Sequence, residues 1–175
     1  MEKGKKIISG REVERIIKGL ADKIKKKIKT ENLAIIGIRR RGVELARRLK
    51  KALQKKGEKI PFGILDITLY RDDLSTVGKQ PVVRQTEIPF ELEGKDILLV
   101  DDVLFTGRTI RAALSELVDF GRPRSVKLLV LIDRNHRELP IQPDFTGRSV
   151  RTKSSQFIEV RLKEVDGEDG VFLIE

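Results

Sequence analysis

Two adjacent carboxylates, Asp101 and Asp102, follow an unbroken aliphatic run at 97–100. At the end of such a buried strand their desolvation is costly, so a ligand hydroxyl or a cation is their natural partner. Directly afterwards Thr106, Gly107, Arg108 and Thr109 lead into a helical pattern. Free N–H groups at a helix start, two hydroxyls and the helix dipole can hold a phosphate, and Gly107 lets the backbone approach closely. Acids for a sugar diol, with an anion hole one loop away, have the shape of a ribose 5-phosphate site. The bland alternative, a strand end followed by a helix cap, would account for an isolated Asp-Gly or Thr-Gly pair but not for the whole string.

These residues must be positioned by the elements around them. Ser9 followed by Glu12 reads as a capping box, and Val13, Ile16, Ile17, Leu20, Ile24 and Ile28 recur at helical spacing, so the first element is an amphipathic helix. Residues 33–38 form a short apolar strand that ends in Arg39, Arg40, Arg41 and Gly42. Val43, Ala46, Leu49 and Leu53 then follow the helical period. A second strand covers roughly 62–69, and the polar stretch 70–85, with Gly78 and Pro81, predicts a long loop. The strand at 97–100 precedes a helix whose inner face is Ile110, Ala113, Leu114, Leu117 and Val118, stopped by Gly121 and Pro123. Residues 126–132 make another buried strand. Alternation of strand and helix implies an α/β fold with a parallel sheet covered on both faces, which binds ligands beyond the carboxyl ends of its strands. The arginine group, residues 70–73, 101–109 and 133–137 all fall there. The tail differs: 157–162 and 171–174 flank a turn rich in Asp and Gly and predict an antiparallel hairpin.

Composition narrows the field. A chain of 175 residues with 39% apolar content can bury one core, and a single domain over 1–175 is expected. No apolar run approaches the length of a membrane helix, and the Lys-rich start lacks the apolar stretch of a secretory signal, so a soluble cytoplasmic protein is expected. With no cysteine and one histidine, structural zinc and thiol catalysis are excluded. Charge is uneven: residues 1–59 carry 21 Lys/Arg against 7 Asp/Glu, and 60–175 carry 16 against 20. Such asymmetry suggests a polyanion partner, although charged surfaces also accompany heat adaptation, and charge alone favours the thermal reading.

The string ILLVDDVLFTGRT, 97–109, matches the signature by which type I phosphoribosyltransferases bind 5-phosphoribosyl-1-pyrophosphate (PRPP). Further strings, LDITLYRDDLS at 65–75, DRNHRELPI at 133–141, IRRRG at 38–42 and LVDFGRP at 117–123, resemble the PyrR family of pyrimidine operon attenuation regulators, which double as uracil phosphoribosyltransferases. The resemblance runs from about Ile7 to the C-terminus. It implies a type I phosphoribosyltransferase fold: a parallel sheet flanked by helices, a flexible lid at about 70–85 and a small β hood mainly from 134–175. It implies that Asp101 and Asp102 contact the ribose hydroxyls, that Phe105, Thr106, Gly107, Arg108 and Thr109 hold the 5-phosphate, and that Val103 and Leu104 pack between them. Arg40 and Arg41 would face the pyrophosphate, Arg41 joining the acids in catalysis, with Arg71 and Arg84 reaching in from the lid. Arg134 and the backbone near Ile158 would read the uracil edge. Mg²⁺ would arrive with PRPP, touching Asp101 and Asp102 at most. His136 is expected to orient its loop.

The same resemblance implies a homo-oligomer, dimer or tetramer, that binds pyrimidine operon leader mRNA under the control of UMP and UTP. On the first helix Lys18, Lys23, Lys25, Lys26 and Lys27 lie largely off the apolar stripe and are candidates to meet that RNA. Three departures from the family pattern stand out: Asn135 replaces the usual Gly, Arg40 the common Thr, and TKSSQ at 152–156 replaces TSKSE. Two alternatives remain open at this point: a transferase for another base, and an RNA-binding attenuator without turnover.

Overall fold

The computed structural model describes residues 4–72 and 85–175. Its centre is a five-stranded parallel sheet in the order β3-β2-β4-β5-β6, built from β2 (Leu33–Ile38), β3 (Phe62–Leu65), β4 (Asp96–Leu104), β5 (Ser125–Asp133) and β6 (Phe145–Ser149). Successive side chains of a strand face opposite ways, and here both faces are dry. Leu33, Ile35, Leu98, Val100, Leu129 and Leu131 pack on one side, against helices α1 (Gly10–Lys27) and α2 (Arg41–Leu53). Ala34, Ile36, Ile38, Ile97, Leu99, Leu128 and Val130 pack on the other, against α3 (Arg108–Asp119). That division explains why these strands read as continuous apolar runs.

The capping box forms as expected: the Ser9 hydroxyl accepts from the Glu12 amide, and the Glu12 carboxylate accepts from the Ser9 amide at 2.8 Å. Ser9→Ala should cost about 1 kcal/mol of stability, read from the shift in a urea midpoint. Helix α1 then buries Val13, Ile17, Leu20, Ala21 and Ile24.

Four expectations change. A strand, β1 (Lys5–Ser9), precedes α1 and pairs with β8 (Gly170–Ile174), so the hood recruits the N-terminus as well as the tail. The hood is a three-stranded antiparallel sheet, β1-β8-β7, in which β7 (Phe157–Arg161) and β8 form the expected hairpin; a short helix, α4 (Lys163–Asp166), occupies its turn. The second strand stops at Leu65, and Thr68–Tyr70 is a 3-10 turn. Strand β4 does not end at the acid pair but runs on to Leu104, because β5 pairs with it as far as Leu104 and Asp133. Val118, expected on the inner face of α3, is exposed.

The sheet order places the chain reversal between β2 and β4: β3 lies outside β2 on one side, β5 and β6 outside β4 on the other. Ligands of open α/β sheets bind at the carboxyl end of such a reversal.

Candidate active site

Three strand ends meet there around a cavity of about 320 Å³ lined by Arg39, Arg40, Asp66, Ile67, Thr68, Arg71, Asp101, Asp102, Val103 and Thr109. Close packing below brings the walls together. A Cβ on Gly42 would lie 2.6 Å from the Val100 carbonyl and 3.2 Å from the Asp101 Cα, so only glycine lets the start of α2 sit on β4 beside the acids.

Asp101 is buried and Asp102 half-buried. Burial, followed by the adjacent Asp102 charge, pushes the Asp101 carboxyl well above the ordinary range; burial also raises Asp102, opposed by its hydrogen bond with Asp101 and by the Arg41 charge. The Asp102 amide donates to Asp101 Oδ1 at 2.9 Å. Such a pair resists full ionisation until a donor or a cation arrives.

Gly107 caps α3 with φ of 93°; the Arg108 amide donates to the Thr106 hydroxyl at 3.3 Å, and the first-turn amides lack intrahelical acceptors. The loop is held from behind. The amides of Glu138 and Leu139 donate to the Thr106 carbonyl at 2.9 and 3.1 Å. Arg137 donates to the Phe105 carbonyl at 2.9 Å, to Asp133 at 2.7 Å and to the Ile141 carbonyl at 2.8 Å. The sequence placed Arg137 within the 133–137 group at the strand ends without giving it a role, although its i,i+4 spacing from Asp133 was a usable signal.

The three arginines after β2 separate. Arg40 is exposed, forms no ion pair among the described residues, and lines the cavity. Arg39 donates to the Gln85 carbonyl and to Glu87, and the Arg39–Arg40 peptide is cis. Arg41, expected at the pyrophosphate, is not among the lining residues: its guanidinium forms a bidentate pair with Asp166 at 2.8 and 3.0 Å, with Glu159 3.8 Å away. That pairing raises its pKa and ties the loop to the hood. Arg108 likewise turns outward, to Asp72 and Glu138 at 2.7 Å each.

Arg134 is buried, its guanidinium 3.8 Å from the Phe105 ring centroid and 5.8 Å from that of Phe157, and burial pulls its pKa down. Ile158 pairs with Leu173 in the hood. Asn135 and His136 have φ of 65° and 62°, the left-handed region, which Asn tolerates better than most residues. The His136 ring meets the Thr152 carbonyl at 2.8 Å through Nε2. Of the lid expectation, Arg71 lines the cavity, Tyr70 bonds Asp119 on α3, and Arg111 donates to the Tyr70 carbonyl at 3.1 Å; residues 73–84, Arg84 included, lie outside the described residues. Asp66, Ile67 and Thr68, read from the sequence as the end of a strand and given no site role, line the cavity because that strand stops at Leu65. Lys18 lines a separate cavity between α1, α2 and the hood, and Lys25, Lys26 and Lys27 line another at the far end of α1. Lys23 is exposed, and no described helix is long and apolar enough to cross a membrane.

Comparison with known proteins agrees with this geometry. The phosphoribosyl transferase domain family matches residues 4–164. A bifunctional protein PyrR of Pelotomaculum thermopropionicum is 56% identical over 147 residues, 83% of this chain and 81% of that relative; one from Elusimicrobium minutum is 49% identical over 97% of this chain and 96% of its own. Among solved structures, a hypoxanthine-guanine phosphoribosyltransferase of Bacillus anthracis superposes with a TM-score of 0.75 at 17% identity, each chain covered fully. A hypoxanthine phosphoribosyltransferase of Staphylococcus aureus gives 0.73 at 19%, covering 99% of this chain and 93% of that one. Likeness at that identity speaks for the fold, whereas the sequence matches go further: this chain belongs to the phosphoribosyltransferase family and, within it, to the PyrR proteins.

Proposed function

We propose that this protein transfers a 5-phosphoribosyl group from PRPP to uracil, giving UMP and pyrophosphate, and that it binds pyrimidine operon leader RNA according to its nucleotide occupancy. The observation that carries the enzymatic half is the shared cavity: the acid pair, Thr109 at the start of α3 and Arg40 line one space at the sheet's reversal. A uracil ring nitrogen attacks C1 of the ribose as the bond from C1 to the pyrophosphate oxygen breaks, and the nitrogen's proton is lost to solvent. Catalysis is positioning and charge stabilisation. Asp101 and Asp102 accept from the ribose hydroxyls, the amides behind Gly107 and the Thr109 hydroxyl hold the 5-phosphate, and Arg40 meets the departing pyrophosphate. Arg41, engaged by Asp166, positions the loop and closes the hood on it. Arg134, held over Phe105, faces the base with the backbone near Ile158.

The donor set suits Mg²⁺. Two carboxylates on one strand offer hard oxygen ligands, and no cluster of three or more potential ligands occurs among the described residues, so most of the shell would come from PRPP. When bound, the ion neutralises charge on the leaving pyrophosphate.

Thr109→Val keeps the branched shape and removes only the hydroxyl, so the KM for PRPP should rise about tenfold with the fold unchanged, measured by initial rates. An unchanged KM would remove Thr109 from the phosphate site. The regulatory half is tested by titrating leader RNA and a scrambled RNA of equal length, with and without UMP. Tighter, UMP-dependent retention of the leader by a homo-oligomer is expected; equal retention regardless of UMP would leave only the enzyme.

A further inference from the structure

Helix α3 holds the 5-phosphate at its first turn and, two turns later, carries a buried acid that takes no part in the chemistry described so far. Glu116 is only 4% exposed, on the face of α3 that also buries Ala112, Ala113 and Leu117. Its Oε1 accepts from the Thr86 hydroxyl, while its Oε2 is buried with no hydrogen-bond partner among the described residues. Burial pushes its carboxyl pKa up against the lowering bond from Thr86, and the nearby charges of Asp66 and Asp119 act with burial. A carboxyl oxygen that loses water and gains no donor weakens the fold. Packing alone would be served better by an apolar side chain here, so the acid is explained by what it holds.

It holds the cavity wall that follows β3. The Thr86 oxygen accepts from the Asp66 amide at 2.9 Å while its hydroxyl donates to Glu116, so one side chain links the wall to the helix. Asp66 Oδ1 accepts in turn from the Thr68 amide at 3.1 Å and the Thr68 hydroxyl at 2.5 Å, and Asp66, Ile67 and Thr68 all line the cavity. Thr86 itself is set in place by its neighbours: Ile64 and Glu87 exchange backbone hydrogen bonds at 2.7 and 2.8 Å, and Arg39 donates to the Gln85 carbonyl at 3.0 Å. The end of the wall is tied to α3 as well, through Arg111 on the Tyr70 carbonyl and the Tyr70 hydroxyl on Asp119.

We propose that Glu116 is a positioning residue for PRPP: through the Thr86 hydroxyl it fixes Asp66, Ile67 and Thr68 relative to Thr109, which stands ~10 Å away at the start of the same helix. A single rigid element thereby sets the cavity's width between the 5-phosphate end and the wall. The assignment rests on the reading of this cavity as a PRPP site and gives a task to two side chains, Thr86 and Glu116, that do not line it. Arg134 and Ile158, which face the base, do not line it either, so the effect falls on PRPP and spares uracil.

The test uses the full chain with Mg²⁺, the Kd for PRPP measured by calorimetry and the KM values for PRPP and uracil by initial rates. Glu116→Leu removes the acceptor and the desolvated acid while keeping apolar bulk. It should weaken PRPP binding and raise the KM for PRPP about fivefold or more, with the KM for uracil changed less than about twofold and the Tm unchanged or higher. Glu116→Gln keeps an acceptor for Thr86 and should restore most of the PRPP affinity. Thr86→Val breaks the same link at its middle, so the double variant with Glu116→Leu should lose about fivefold, as either single does, and not about 25-fold. PRPP affinity unchanged in both single variants, or losses that multiply in the double, would overturn the proposal. So would a KM for uracil rising in step with that for PRPP, the mark of general loosening. If Glu116→Leu does not fold, Thr86→Val must lose PRPP affinity and Glu116→Gln must keep it, or the proposal fails. The two readings fail separately: the uracil assignment fails in a wild type that binds PRPP and forms no UMP, the Glu116 assignment only in the variants' PRPP affinities.

Discussion

Replacing Asp101 and Asp102 together by Asn should lower PRPP turnover by at least about 10²-fold while making the protein more stable at neutral pH. The loss follows from removing two charged acceptors for the ribose hydroxyls, each such bond contributing about 1.5–3 kcal/mol. The gain follows from linkage. Both carboxyls have folded pKa values raised above the ordinary 3.8, chiefly by burial, so the folded state binds their protons more tightly than the unfolded chain. Their ionisation therefore opposes folding at any pH above the raised values and ceases to do so as pH falls toward 3.8. The wild type should gain stability on acidification through that window, and the Asn variant should be flatter there. Thermal denaturation at several pH values measures both. A variant less stable than wild type at neutral pH would mean that the carboxylates are held by protein donors and not reserved for a ligand.

Gly42→Ala should be the most damaging change of a single methyl. Its new Cβ would lie 2.6 Å from a backbone oxygen, and neither β4 nor the start of α2 is a flexible side chain that can give way. Overpacking of this kind costs about 1–3 kcal/mol, and the displaced α2 would carry Arg40 out of the cavity. A lower Tm together with a KM for PRPP raised about tenfold or more is expected, since small misplacements of positioning groups are costly in rate. By contrast Gly57, with open space around its Cβ position, should show no kinetic effect when changed to Asn, which tolerates its φ of 86°.

How far the residues alone led depended on whether the deciding interaction was local. Helix α1 was legible because its cap and stripe lie within one segment, and β2, β4 and β5 because burial on both faces makes continuous apolar runs. Strand β1 was not legible: Lys5–Ser9 is short, three of its five residues are exposed, and it is held by β8 from the other end of the chain. Edge strand β6 is masked by Thr146, Gly147 and Arg148; Gly147 is there because a Cβ would lie 2.5 Å from the Leu131 carbonyl. At the site, 101–109 announced itself because acids, glycine and hydroxyl occur in sequence. Nothing local could separate Arg40 from Arg41, since Asp166, the residue that takes Arg41, lies 125 positions away.

The central claim, that the cavity at the sheet's reversal transfers a phosphoribosyl group to uracil, is met most directly by one assay. The full chain is incubated with PRPP and Mg²⁺ and, in parallel, with uracil, hypoxanthine or orotate, and the nucleotide products are separated. UMP formed with uracil alone, and abolished by the paired Asn variant, is the result expected. Inosine monophosphate as the main product, or no nucleotide from any base, would contradict it.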